Sequence, residues 1–278
     1  MTKTPKLGKG LGRKLDAPDQ RDLIVKAQQA APLRGISAPL PSHTDVFAGL
    51  SLPVYDQGSI GSCTANAGVL YRRFLSQRFR RYSAPDENLS RLFLYYQERM
   101  LPWNADPNDD AGASIRDACY VLAHTGVCSE QDDPYVTQAF ASAPINDNPE
   151  DLRDALAYRI GAYHRVPDAE SARSVLASGY AVMLGFVVYP SFEETGADGI
   201  LRMPAQDEPP LGGHAVVIRG YDDTKRNGGV SGYFRVQNSW GPEWADKGNL
   251  WMPYEYIGRA EMSHPDMWMM HLGRPWRV

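Results

Sequence analysis

Cys63 follows the short Gly/Ser loop Ser59-Ile60-Gly61-Ser62 and opens a stretch whose apolar residues recur with helical spacing. A helix N-terminus presents free N–H groups and the positive end of the macrodipole, which favour the thiolate, the nucleophilic form of cysteine. His214 stands behind Gly212-Gly213 at the start of an apolar strand-like run, where an imidazole can take a thiol proton. Asn238 ends another strand-like run in Asn238-Ser239-Trp240-Gly241, and its carboxamide can accept from an imidazole N–H and hold the ring. Gln57, in Asp56-Gln57-Gly58, carries a side-chain N–H six residues before the cysteine. Taken singly, these are a small buried thiol, a core histidine, a turn asparagine and a polar loop residue. Taken together, Cys63, His214 and Asn238 suit a thiol nucleophile activated by an oriented base. His43, His124, His164, His264 and His271 have no comparable setting and read as structural or surface residues.

The order Gln57, Cys63, His214, Asn238, Trp240 resembles that of the papain-like cysteine peptidases, known for a Cys-His-Asn site. The most specific blocks are Gln57-Gly58…Gly61-Ser62-Cys63 and Asn238-Ser239-Trp240-Gly241 with the following Trp244 and Gly248. The similarity covers about residues 45 to 260. It implies Cys63 as nucleophile and His214 as its ion-pair partner and later proton donor. It implies Asn238 as orienter of His214, Gln57 as oxyanion donor beside the Cys63 N–H, and Trp240 as a shield over the Asn–His contact. The implied reaction is hydrolysis of peptide bonds through a thioester, without metal or organic cofactor. The implied partner is a peptide or protein substrate, with an endopeptidase the first reading. The alternatives are an exopeptidase, amidase or acyl transferase on the same scaffold, or an interaction module that has lost turnover.

The sequence departs from the family pattern at several points. The usual Cys-Gly-Ser-Cys-Trp is Ile60-Gly61-Ser62-Cys63-Thr64, so one disulfide cysteine is missing and an aromatic neighbour is replaced. His214 and Asn238 lie 151 and 175 residues after Cys63, which places insertions at Asp198–Leu211 and Asp222–Gly232, loops expected to flank the cleft. Gly112-Ala113 stands near the paired glycines that line the family's cleft, and Ala245 replaces a common glycine. Cys119 reads as a small buried hydrophobe, and Cys119 and Cys128 as free thiols.

The elements that must position these residues fall into two groups. Helices are predicted from Cys63, from a Ser90 cap to Met100, and from about Ser114 to His124 with a stop at Gly126. Arg72, Arg73, Arg78, Arg80 and Arg81 read as solvated cations toward the end of the first helix. Strands are predicted over Tyr158–Val166, Ala181–Val188, Ala215–Tyr221, Tyr233–Asn238 and Leu250–Met252, with a short helix opened by Pro167-Asp168 and stopped at Gly179. Asp106-Pro107-Asn108-Asp109-Asp110 reads as a turn, because a calcium loop would need glycine where Ala111 stands. The fold class is α+β. The resemblance implies two lobes, helical over about 45–157 and an antiparallel, barrel-like sheet over about 158–278, with the site between them.

The chain has 278 residues, enough for a large core, and a net charge of −4, which does not suit a nucleic-acid partner held by bulk charge. Three cysteines exclude a disulfide framework, and no apolar run is long enough to cross a membrane. Residues 1–44 are rich in Lys, Gly, Pro and Ala, and the basic start is not followed by the apolar stretch of a signal peptide. The expectation is a cytoplasmic, monomeric protein, with secretion by another route left open. Gly8-Lys9-Gly10-Leu11-Gly12 has neither the preceding strand nor the spacing of a dinucleotide loop. The first 44 residues are either a disordered tail or a short prosegment that drapes over the cleft and limits access.

Overall fold

The structure is a computed structural model that describes residues 8–17, 19–25, 39–104, 106–136, 148–259 and 263–273. Part of the 1–44 extension therefore lies outside the described residues, but its 8–17, 19–25 and 39–44 stretches do not.

Helix α1 (Cys63–Arg78) is buried on nearly every face, so it is the central element of the helical half. Against it pack α2 (Arg91–Arg99) and α3 (Ile115–His124). Their starts follow from the sequence. Ser90 Oγ accepts the Phe93 N–H at 2.9 Å, and Ser114 with Asp117 forms a reciprocal capping box at α3. A helix that the sequence reading omitted, α4 (Pro149–Ala155), starts on the Asn148 side chain. Further along the chain, Asp168 caps α5 (Ala169–Ala177) as expected.

Among the described residues, seven antiparallel strands form the other half. They are β1 (His43–Asp45), β2 (Ala162–Val166), β3 (Val182–Val188), β4 (Gly212–Asn227), β5 (Val230–Gln237), β6 (Asn249–Pro253) and β7 (Asp266–His271). The order is β2-β7-β3-β4-β5-β6, with β1 added on β4. Strands β2 and β6 end this order without pairing to each other, so the sheet is open and does not close into a barrel. The Tyr71 hydroxyl of α1 donates to Ala181 O at 2.6 Å and accepts from Met270 N at 3.1 Å, which fixes the helix against β3 and β7.

Four sequence expectations change. The strand predicted from Tyr158 begins only at Ala162, because Leu156–Tyr158 continues α4 as a tight helical turn. Strand β7 was missed, although Met267, Trp268, Met269 and Met270 are all buried. A run apolar on both faces lacks the alternation that marks a half-exposed strand. Arg72 is not solvated: it is 1% exposed and donates to Tyr158 O at 2.7 Å and to the Ser76 and Ser83 hydroxyls. Finally, Asp222–Gly232 is not a loop beside the cleft. It is the hairpin extension of β4 and β5, turning at Gly228-Gly229, at the opposite end of β4 from His214.

Candidate active site

The site sits where the start of α1 meets the start of β4 and the end of β5. Cys63 is the first residue of α1 and is fully buried. The loop before it is held by a residue that sequence reading had placed only in a turn. Asp110 accepts the Gly61 N–H with both oxygens, at 2.9 and 3.0 Å, and the Tyr95 hydroxyl at 2.7 Å. Ser62 Oγ bonds to the Tyr135 hydroxyl, which reaches Gln57 O at 3.0 Å. Asp110, Tyr95 and Tyr135 thus position the cysteine without a local sequence signal, since each comes from a distant segment.

His214 enters from β4, at register with Phe186 of β3. Its Nε2 lies 2.7 Å from Asn238 Oδ1, which also accepts the Ser239 N–H at 2.8 Å. The backbone donor identifies that amide atom as the oxygen, so Nε2 is the ring nitrogen that carries the proton. Nδ1 is then the nitrogen with the lone pair, and it is buried with no hydrogen-bond partner among the described residues. Trp240 lies over the ring at a centroid distance of 5.1 Å, and Phe186 and Phe192 approach its edges at 5.9 and 6.1 Å. These rings exclude water from a hydrogen bond that is strongest when dry.

Gln57 is also buried. Ser239 Oγ donates to its Oε1 at 2.6 Å, which turns Nε2 outward. That Nε2 donates to Ile60 O and to Gly10 O, both at 3.0 Å. Gly10 belongs to the amino-terminal extension, which runs through the site. Arg13 N donates to Gly213 O at 3.0 Å, Ala113 N to Gly12 O at 2.9 Å, and Lys14 N to Ala113 O at 2.8 Å. Gly112-Ala113 therefore lines the groove, as the sequence suggested. The glycines of Gly10-Leu11-Gly12 have a steric reason: a Cβ on Gly10 would lie 2.1 Å from Ile60 O, and one on Gly12 1.7 Å from Gly61 O. Beyond the groove, Lys9 pairs with Asp56 at 2.6 Å, and Arg116 grips Asp16 at 3.1 Å and Asp22 at 2.7 Å.

Burial dominates the electrostatics of the site. Burial pushes the Cys63 thiol up to about 11, against the opposing backbone N–H contacts of Gly12 and Ala215. Burial lowers His214 to about 4, partly offset by the Asn238 hydrogen bond. Burial is the largest influence on the thiol and holds it protonated. The Ala215 N–H contact nonetheless places the sulphur beside the backbone that carries His214. Cys119 and Cys128 are free, buried thiols away from these groups, with their acidities weakened by burial.

A cysteine at a helix start, a histidine–asparagine pair on a sheet and an aromatic cover, between a helical and an antiparallel half, are the arrangement of a cysteine peptidase. The chain belongs to the papain family of cysteine proteases, which it matches over residues 40–265. It is 33% identical over 230 residues to an uncharacterized peptidase C1-like protein of Acanthamoeba polyphaga mimivirus, covering 79% of this chain and 70% of that one. Its fold matches xylellain, a cysteine protease from Xylella fastidiosa, with a TM-score of 0.82, 33% identity and 99% coverage of both chains. A procathepsin B of Trypanosoma congolense shares the fold at a TM-score of 0.69 and 15% identity, over 94% of this chain and 86% of that one.

Proposed function

We propose that the chain is an endopeptidase that cleaves peptide bonds through Cys63, and that residues 8–16 limit access to its cleft. The reading rests first on the Asn238 oxygen, held between Ser239 N at 2.8 Å and His214 Nε2 at 2.7 Å. That contact fixes the tautomer a base needs and leaves Nδ1 to receive the Cys63 proton. The sulphur then attacks the substrate carbonyl carbon, and its S–H proton passes to Nδ1. The developing oxyanion takes a hydrogen bond from Gln57 Nε2 and one from the Cys63 N–H. The C–N bond breaks as His214 returns the proton to the leaving amine. Water, with His214 again as base, hydrolyses the thioester to a carboxylic acid and the free thiol. Trp240 keeps water from the Asn238–His214 bond throughout.

Several observations support the gating half. The Gly10 carbonyl bonds the amide donor that this mechanism assigns to the oxyanion, and the groove-lining Gly213 and Ala113 are both hydrogen-bonded to the extension. The thiol and imidazole are both neutral at neutral pH in this covered state, given their directions of shift. Withdrawal of the segment rehydrates both groups, which favours the thiolate–imidazolium pair.

The test is labelling of the full chain by a peptide-backbone epoxide directed at thiols, with mass spectrometry to locate the adduct. The expected adduct is on Cys63 alone, disappears in Cys63→Ala, and forms faster when contacts of residues 8–16 are weakened by substitution. A folded chain that never labels at Cys63 and cleaves no peptide would overturn the reading in favour of an interaction module.

A further inference from the structure

The helix that carries Cys63 does not cap itself. Ser62 stands at the N-cap position of α1, but its side chain accepts no N–H of the helix backbone. Its hydroxyl turns instead to the Tyr135 hydroxyl and the Asn66 side-chain amide. Helices α2 and α3, by contrast, start on the side chains of Ser90 and Ser114. The entry to α1 is thus held from outside, and Asp110 takes the Gly61 N–H with both carboxylate oxygens, at 2.9 and 3.0 Å. A carboxylate makes a stronger acceptor for such a bond than a neutral carbonyl. A Cβ on Gly61 would stand 3.0 Å from Asp110 Oδ1, 3.2 Å from Gly12 Cα and 3.5 Å from the Tyr95 hydroxyl oxygen, so glycine lets all three close on this loop.

Behind Asp110 stands α2. Tyr95 and Arg99 lie one turn apart on that helix, both fully buried, and together they hold the peptide groups of Gly112. The Gly112 N–H donates to the Tyr95 hydroxyl at 3.0 Å, and Gly112 O accepts Arg99 Nη1 at 2.8 Å. Arg99 also donates to Asp109 O at 3.1 Å and to Asp106 O at 2.9 Å, so one guanidinium fastens the stretch that leads to Gly112. Because the Tyr95 oxygen accepts from Gly112, its own proton goes to Asp110 Oδ1, at 2.7 Å. A continuous chain results, from Gly112 N–H through the Tyr95 hydroxyl and Asp110 to Gly61 N–H. One end is the groove wall, where Ala113 N donates to Gly12 O and Ala113 O accepts Lys14 N. The other end lies two residues before Cys63. Gly12 closes against that end as well, since a Cβ on it would fall 1.7 Å from Gly61 O.

We propose that Asp110 and Tyr95 are positioning residues that tie the groove wall at Gly112-Ala113 to the loop presenting Cys63, so that a peptide seated on Ala113 and the sulphur that attacks it keep one fixed spacing. This rests on the peptidase reading above and adds the device that sets the attack distance. Neither side chain touches the reacting atoms. The sulphur must meet a carbonyl carbon whose place is set by backbone bonded to Ala113, and a misplacement of about 1 Å in such a geometry can lower a rate by about 10²-fold. Tyr135 holds the same loop at Ser62 and Gln57 O, and the tie through Asp110 is what joins it to the groove wall.

The test uses the full chain carrying Asp110→Ala, Asp110→Asn, Tyr95→Phe, or Asp110→Ala together with Tyr95→Phe. On a peptide substrate, kcat (counted per folded chain) and KM are measured, and alkylation of Cys63 by a small thiol reagent is timed in parallel. Asp110→Ala should lower kcat by about 10-fold or more with KM little changed, and Tyr95→Phe should lower it less. Asp110→Asn keeps an acceptor oxygen for Tyr95 and Gly61, so its kcat should stay within about threefold of the wild type. The double variant should fall no further than Asp110→Ala alone, because the two side chains act as one unit. Losses that multiply in the double variant, a kcat unchanged in both single variants, or a loss confined to KM overturns the tie and leaves the peptidase standing. Should Asp110→Ala not fold, Tyr95→Phe decides by itself, and an unchanged kcat overturns the tie. A folded wild-type chain that cleaves no peptide overturns the peptidase reading instead. The tie is then read from alkylation: the same non-additive pattern in the rates upholds it, and equal or multiplying rates overturn it.

Discussion

The side-chain Nε2 of Gln57 and the backbone carbonyl of Gly10 are 3.0 Å apart, so a peptide carbonyl of the chain's own extension is bonded to a donor at the heart of the site. Ser239 holds the other end of the Gln57 amide, which leaves Nε2 no freedom to turn away. One contact therefore serves the proposed catalysis and the proposed restraint, and the predictions below separate the two.

Gln57→Ala should move two readouts in opposite directions. Loss of an oxyanion donor lowers kcat by about 10²–10³-fold. Loss of the Gly10 contact loosens the extension, so a small thiol reagent should reach Cys63 faster. Steady-state kinetics and timed alkylation check this, and a parallel fall in both would argue against the dual role.

Gly12→Ala should free the groove. The added methyl would stand 1.7 Å from the Gly61 carbonyl, a backbone atom that cannot step aside. The expected outcome is severalfold faster labelling of Cys63 and faster peptide cleavage, in a chain whose thermal midpoint drops only slightly. Slower labelling would show that the extension does not govern access.

Asn238→Ala removes the acceptor that fixes His214. The ring then samples both tautomers and other orientations, so kcat should fall by about 10²-fold or more with KM nearly unchanged. An equal fall in a variant that keeps an amide acceptor at the same distance is not expected. Stopped assays over a substrate range make the distinction.

Glu98→Gln should change how stability depends on pH. Glu98 is fully buried and accepts the Thr64 hydroxyl at 2.6 Å, with Oε1 unpartnered among the described residues. Burial raises its pKa well above the ordinary carboxylate value, Asp117 adds to this, and the Thr64 bond and Arg99 oppose it. The folded chain therefore keeps a proton that the unfolded chain has lost above about pH 4.5. Stability falls as pH rises through that window, because the native state binds more protons. The glutamine stays neutral, so its urea midpoint relative to the wild type should increase between pH 5 and pH 8. A constant difference would show that Glu98 is ionised in the fold.

Helix starts were legible because capping is local: Ser90, Ser114 and Asp168 each accept an N–H from three residues on. The pairing of His214 with Asn238 was legible because an imidazole base calls for an acceptor to orient it, and the two do meet. Less was legible where burial on both sides hides alternation, as in β7, or where a charged residue is satisfied by distant partners, as with Arg72. Asp110 is the plainest case. Its sequence context describes a turn, and only folding brings it under the loop that carries Cys63.

The sequence by itself determined the order Gln57, Cys63, His214, Asn238, Trp240, the helical and sheet halves, and a glycine-rich extension. Only the tertiary structure decided what that extension does with its glycines and its arginine. Close approach of Gly12 to Gly61, and of Arg13 to Gly185, are contacts between segments with no local link. The same holds for the state of the thiol. A helix N-terminus favours its ionisation from short range, whereas burial, which raises the thiol's pKa, comes from the whole tertiary environment and not from the residues beside Cys63.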